Sequence, residues 1–238
     1  MKSKSAKSTV SPKVRTITPT AAKRKLLNPA EIEKVFTTLE QLWPDAHCEL
    51  THNNDFQLLI AVVLSAQTTD KAVNKALEPL LKAKPTFSAP ELIEMGERKF
   101  LGVIKSIGLA PTKAKNCVSL ARQLVSLHGG RVPLDRASLE ALPGVGRKTA
   151  NVVLNVLAGL PTMAVDTHVA RVSVRLGLVA KTDNRLRIEE ELVAKVPPAW
   201  GVTAHHLLIF HGRYHCTARS PKCSNCPVLG LCKRVGID

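Results

Sequence analysis

Apolar residues recur at helical spacing along this chain from Asn28 onward. Ile32, Val35, Phe36, Leu39 and Leu42 fall on one face of a helix that Pro44 ends. Asn54 or Asp55 caps the next element, whose run over 58–64 is apolar at every position. Periodicity alone does not separate a buried helix from a buried strand there. After Asp70, the positions Ala72, Val73, Ala76, Leu77, Leu80 and Leu81 form a helical stripe. Pro111 opens a helix carrying Cys117, Val118, Ala121, Leu124 and Val125, closed by Gly129-Gly130. Further helices are predicted over 135–142, 147–158, 166–177, 183–194 and 203–212. No stretch alternates polar and apolar over strand length, and no Asn-Gly or Asp-Gly hairpin turn occurs. The pattern predicts an all-α chain of many short helices joined by tight turns.

Composition narrows the function. Of 238 residues, 45% are hydrophobic, enough to bury a core, yet the longest apolar run is too short to cross a bilayer. That excludes a membrane-spanning helix. Lys and Arg total 34 against 19 Asp and Glu, and a net charge of +15 asks for a polyanionic partner. Aromatic residues are only 3%, which argues against a binder that stacks many bases on rings. Such a chain grips phosphates instead. Residues 1–25 hold Lys2, Lys4, Lys7, Lys13, Arg15, Lys23, Arg24 and Lys25 and no acid, and they lack a periodic apolar face. A disordered basic tail is expected over 1–27, without the apolar segment of a secretory signal.

Three local patterns carry chemistry. In Leu142-Pro143-Gly144-Val145-Gly146-Arg147-Lys148-Thr149-Ala150, one helix must turn into the next within a few residues, and two glycines permit that turn. Amides of Gly144, Val145, Gly146, Arg147 and Thr149 then lie near an anion-binding helix start. A packed corner with no ligand accounts for Gly-x-Gly alone equally well. Lys148, in the first turn of the second helix, is either one more phosphate contact or a nucleophilic amine. In Val165-Asp166-Thr167-His168, Asp166 precedes an apolar helix and reads as its N-cap. A carboxylate held there also stabilises a cationic sugar as a glycosidic bond breaks. Finally, Cys216, Cys223, Cys226 and Cys232 follow a C-x6-C-x2-C-x5-C spacing. Four thiols in this order suit zinc or an iron–sulfur cluster. His211 and His215 have the spacing of a helical metal pair, but four cysteines already complete a ligand set. Cys48 and Cys117 are expected to be inert core thiols.

Together these strings resemble the endonuclease III family of helix-hairpin-helix DNA glycosylases, over about residues 28–238. Leu64-Ser65-Ala66-Gln67-Thr68-Thr69-Asp70 is similar to the family loop whose Gln fills the gap left by an extruded base. Ile107-Gly108-Leu109 is similar to its wedge loop, although Ala110-Pro111 stands where an aromatic residue is usual. The physical need is general: extruding a base leaves a hole, and filling it recovers part of the unstacking cost.

The resemblance implies a fold of two helical lobes with a DNA-binding cleft between them. A six-helix barrel over 54–160 would carry the hairpin, and 28–53 plus 161–238 would form an iron–sulfur lobe. It implies a bifunctional DNA glycosylase/AP lyase of base excision repair, removing oxidised pyrimidines by base flipping and Schiff-base β-elimination. Lys148 and Asp166 would be catalytic. Gly144, Val145, Gly146, Arg147, Thr149, Gln67, Ile107, Leu109, Arg219 and Lys222 would bind DNA. Cys216, Cys223, Cys226 and Cys232 would hold a 4Fe-4S cluster. The partner would be double-stranded DNA containing damaged bases or AP sites, with no membrane, and the protein a monomer. The implied location is cytoplasmic and nucleoid-associated, of bacterial type, ahead of organellar or nuclear targeting by the tail. Adenine glycosylases on this scaffold lack a lysine at the Lys148 position. A pyrimidine-dimer glycosylase and a non-catalytic DNA-binding module stay open.

Overall fold

The computed structural model describes residues 25–237. Among them the chain contains helices and no strand. The helices are α1 (Pro29–Leu42), α2 (Asp55–Leu64), α3 (Asp70–Ala83), α4 (Ala89–Ile104) and α5 (Ala110–His128). They continue with α6 (Arg136–Glu140), α7 (Arg147–Ala158), α8 (Thr167–Leu176), α9 (Arg185–Lys195) and α10 (Ala204–Phe210), followed by a π-turn at His211–His215. Most of the expected tail lies outside the described residues. Leu27, assigned to it by composition, is instead only 6% exposed and donates its N–H to the Gly177 carbonyl at 3.0 Å. Its apolar side chain joins the core, so packing overrides the polar neighbourhood.

Side-chain caps set where the helices begin. Asn28 accepts from the Glu31 amide at 3.0 Å while Glu31 accepts from the Asn28 amide at 2.8 Å, a reciprocal box that starts α1. Asn54, rather than Asp55, caps α2 by accepting from the Gln57 amide at 2.9 Å. The apolar run that follows is helical and buried at every position from Phe56 to Leu64. A helix apolar all round belongs at the centre of a bundle, and that is where α2 sits. The polar exception, Gln57, donates to the Pro85 carbonyl at 2.8 Å and accepts from the Asn53 amide at 2.8 Å. Helix α4 has no counterpart among the elements that periodicity predicts. Gly96 at φ 72° breaks it into two short pieces, each with too few apolar positions to stand out.

Two apolar cores result. One gathers residues of α2 to α7 around Leu58, Leu59, Ile60, Phe100, Leu120 and Leu124. The other joins α1 to α8, α9 and α10 through Val35, Phe36, Leu39, Val169, Leu192 and Leu208. The segment 159–165 crosses between them, with Ala164 in the first core and Met163 and Val165 in the second. Two buried asparagines one turn apart on α7 hold this crossing. Asn151 donates to the Met163 carbonyl at 3.1 Å, and Asn155 donates to the carbonyls of Leu160 at 3.0 Å and Val202 at 2.9 Å. A buried amide left unpaired is costly, so these bonds fix the path. Helix α7, which begins with the hairpin, thereby fixes where α8 and Asp166 begin. No helix among the described residues is long and apolar enough to cross a membrane.

Candidate active site

Helix α6 meets α7 through the turn 141–146. Gly144 takes φ 81°, and a Cβ there would lie 3.1 Å from the Asn116 Cβ and 3.3 Å from Val63 Cγ1. The dihedral favours glycine, and a side chain would also press on these two neighbours. Gly146 is the N-cap of α7 and offers no side-chain cap, so the first-turn amides of Arg147, Lys148 and Thr149 are open to an anion. The side chains of Val145 and Thr149 are buried, at 7% and 8% exposure. Their contribution to a ligand is limited to the main chain. Arg147, expected to meet DNA as a cation, forks onto Glu189 of α9, with Nε and a terminal nitrogen each donating at 2.9 Å to separate carboxylate oxygens. Bidentate pairing commits that charge inside the molecule. The sequence shows the cation but not an acid on a distant helix.

Lys148 is exposed and lines a cavity of about 1070 Å³ together with Asp166, Gln67, Asp70, Glu49 and Arg213. This is at the top of the range of roughly 300–1,000 Å³ usual for ligand pockets. Asp166 caps α8: its Oδ1 accepts from the His168 and Val169 amides, both at 2.8 Å. Both bonds use one oxygen, which leaves Oδ2 uncommitted among the described residues. Arg185 donates to the Asp166 carbonyl at 2.7 Å, anchoring the backbone of the cap from α9.

Also lining this cavity, Thr69 rather than Asp70 caps α3, accepting from the Ala72 amide at 3.3 Å. The Asp70 carboxylate instead accepts from Arg213 at 2.9 Å, and Arg213 also donates to Glu49. Tyr214 donates to the same Glu49 at 2.7 Å. This knot ties the π-turn to the start of α3. Its members are spread across the sequence, and no local motif announces them.

The two candidate wedge loops share a backbone feature. Gln67 at φ 55° and Leu109 at φ 61° are two of only three non-glycine residues with positive φ among the described residues. Such conformations cost about 1–3 kcal/mol each. Gln67 is exposed and Leu109 is 61% exposed. Ile107, also expected at the DNA, is 3% exposed and packs in the first core. Burial removes Ile107 from any surface contact, so it anchors the loop that presents Leu109. The unusual Ala110-Pro111 occupies the first positions of α5. Proline is tolerated there because the helix has no acceptor for its missing N–H.

None of the six cysteines is in a disulfide. Cys216, Cys223, Cys226 and Cys232 surround one locus: burial pushes the Cys226 and Cys232 thiols up, and the charges of the other cysteines add to that. Four thiolates so placed need compensating cations, as iron supplies. N–H donors support the sulfurs, Arg234 to Cys232 at 3.4 Å and Arg175 to Cys216 at 3.5 Å. No group of three or more His, Cys, Asp or Glu among the described residues is placed to hold a metal ion; by donor type, the four cysteines match the thiolate set that an iron–sulfur cluster takes. His211 and His215 stack at 5.1 Å on the π-turn, with His211 Nε2 3.8 Å from Cys226 Sγ. Arg175 donates to the carbonyls of Thr217 at 2.7 Å and Ala218 at 2.9 Å. The loop thus folds back on α8, and Arg219 and Lys222 remain exposed on it. Cys117 is fully buried, its thiol pushed up to about 12, and is inert as expected.

Residues 60–198 match the HhH-GPD superfamily of base excision DNA repair proteins, and residues 216–232 match the iron–sulfur binding domain of endonuclease III. Endonuclease III of Bacillus subtilis (strain 168) is 48% identical over 212 residues, covering 87% of this chain and 94% of the relative. Endonuclease III of Escherichia coli (strain K12) is 47% identical over 207 residues, covering 87% and 97%. A solved structure of a trapped endonuclease III–DNA covalent intermediate superposes with TM-score 0.82 at 45% identity, covering 88% of this chain and 97% of that one. A thermostable thymine-DNA glycosylase shares the fold, with TM-score 0.76 at 24% identity.

Proposed function

This chain belongs to the endonuclease III family, and from that premise we propose that it excises oxidised pyrimidines from damaged duplex DNA as a monomer, with Lys148 as nucleophile and Asp166 as its electrostatic partner. It is a DNA glycosylase of base excision repair with AP-lyase activity, it binds DNA, and it carries a 4Fe-4S cluster. The observation that carries the proposal is that Lys148, Asp166 and Gln67 line one cavity. A phosphate-gripping module needs neither residue in a cavity.

The two cores correspond, in this reading, to a barrel lobe over 54–160 and a cluster lobe over 28–53 and 161–238. The first-turn amides of α7 hold a phosphate, and the damaged nucleotide turns into the cavity. The lone pair of the Lys148 amine forms a bond to C1′ as the glycosidic bond breaks, and that bonding pair leaves on the base, which takes up a proton. Asp166, anionic and fixed by its two amide bonds, offsets the positive charge on the sugar. The ring then opens to an iminium. Loss of a C2′ proton expels the 3′ phosphate by β-elimination, and water releases the lysine. The 4Fe-4S cluster, when bound, cross-links its four thiolates. Arg175 ties that cysteine loop to α8, and Arg219 and Lys222 face the DNA backbone from it.

Two measurements test this reading. On a panel of duplexes each holding one defined lesion, strand incision should appear at ring-oxidised pyrimidines. Incision confined to cyclobutane pyrimidine dimers, or binding without incision anywhere, would overturn the substrate assignment. Separately, Cys226→Ser should lower iron content, folded yield and DNA affinity, while the folded fraction forms its sugar adduct within a few-fold of the normal rate. Full iron and sulfide content in that variant would show that Cys226 is not a ligand.

A further inference from the structure

Lys113 stands on the apolar stripe of α5, between Ala110 and Ala114, and is only 6% exposed. A buried lysine must find acceptors for its ammonium. Its three donors meet three acceptors: the Leu64 carbonyl at 3.0 Å, the Ala66 carbonyl at 2.7 Å and Thr68 Oγ1 at 2.9 Å. The first belongs to the last residue of α2 and the other two to the loop that presents Gln67. The main-chain N–H of the same residue donates to the Leu109 carbonyl at 3.0 Å. That bond is the ordinary first-turn bond of α5, so it is the Lys113 side chain that ties the start of this helix, which follows directly on Leu109, to the loop of Gln67. Those loops carry Gln67 and Leu109, both exposed and both held at positive φ.

We propose that Lys113 is a positioning residue that couples the two loops, so that Gln67 and Leu109 enter the DNA as a single preformed wedge. The proposal rests on the reading of those two residues as the groups that replace an extruded base. Lys113 touches neither substrate nor the reacting atoms. Its effect is to hold two strained loops in place before DNA arrives, so that binding energy goes to extruding the base rather than to ordering the loops. A lysine retained only for core stability would move the melting temperature and leave extrusion unchanged.

The test uses the full chain with its cluster, a duplex with a fluorescent base analogue beside the lesion to report extrusion, and an AP site in either a duplex or an unpaired bubble. Lys113→Met keeps length and removes the donors. It should reduce extrusion and duplex excision by about tenfold or more, the scale of losing a charge-assisted hydrogen bond. Borohydride trapping at the AP site in the bubble, which needs no wedge, should stay within about twofold. Thr68→Val removes one acceptor without touching the core and should give a smaller loss of the same sign. It decides the matter if Lys113→Met does not fold. Gln67→Ala with Leu109→Ala should itself lose extrusion, and adding Lys113→Met to that pair should lose little more. Undiminished extrusion in folded Lys113→Met and in Thr68→Val, or losses that add fully to those of the pair, would overturn the coupling. If the Gln67 and Leu109 substitutions leave extrusion intact, the wedge reading itself falls, and the coupling falls with it.

Discussion

Replacing Lys148 by Gln is expected to abolish the covalent protein–DNA adduct that borohydride traps on lesion-bearing duplex. The neutral amide of Gln has no free amine to form an imine, so strand cleavage should fall on the order of 10³-fold or more, as when a nucleophile is removed. Affinity for a stable abasic analogue should change only a few-fold. The first-turn amides of α7 that face a phosphate belong to the backbone and survive the substitution. Lys148 is also exposed at the cavity wall, so its loss opens no hole in either core. The melting temperature should therefore stay close to that of the parent. This combination separates a nucleophile from a phosphate contact, which would lose binding and trapping together. An adduct that persists in Lys148→Gln would place the nucleophile at another amine and remove Lys148 from the mechanism.

The features legible in the sequence were those whose partners lie within one turn. Glycines 144 and 146 announce the hairpin because the turn they permit is local. Asp166 announces the start of α8 because a cap bonds the amides two and three residues ahead. What stayed hidden needs long-range contact. Arg147 reads as a free cation until Glu189, on α9, accepts two of its N–H bonds. Ile107 reads as part of a surface loop until its burial shows that it is the anchor and Leu109 the exposed residue. The knot of Glu49, Asp70, Arg213 and Tyr214 joins parts of the chain that no window spans together. Some of the missed residues did carry a signal. A lysine on the apolar stripe of α5, and asparagines 151 and 155 on the buried face of α7, are polar groups in positions that demand apolar ones. A buried polar residue must have partners, and here those partners are the loops and the crossing segment that shape the cavity.

Asp166→Asn should slow base excision by roughly 100-fold or more while leaving fold and DNA binding nearly unchanged, the scale seen when one positioned electrostatic group is lost. The substitution isolates charge from architecture. Asn is as good an N-cap as Asp, and its carbonyl oxygen can accept from the His168 and Val169 amides as Oδ1 does now. Arg185 bonds the main-chain carbonyl of this residue, a contact no side-chain change removes. The lost negative charge is the one the cationic sugar requires. Asp166→Ala provides the contrast: it removes charge and cap together, so it should slow excision comparably and also cost about 1 kcal/mol of stability. Single-turnover excision rates and melting curves, measured side by side, separate the two effects. If Asp166→Asn excises within about threefold of the parent while Asp166→Ala is slow and unstable, the carboxylate serves only to cap α8. The charge that stabilises the departing base's sugar would then have to come from another acid on the cavity wall, with Asp70 and Glu49 the groups present there. Both already share the Arg213 guanidinium in ion pairs, whereas Asp166 meets only backbone donors through a single oxygen. That difference in pairing is the physical reason to assign the role to Asp166.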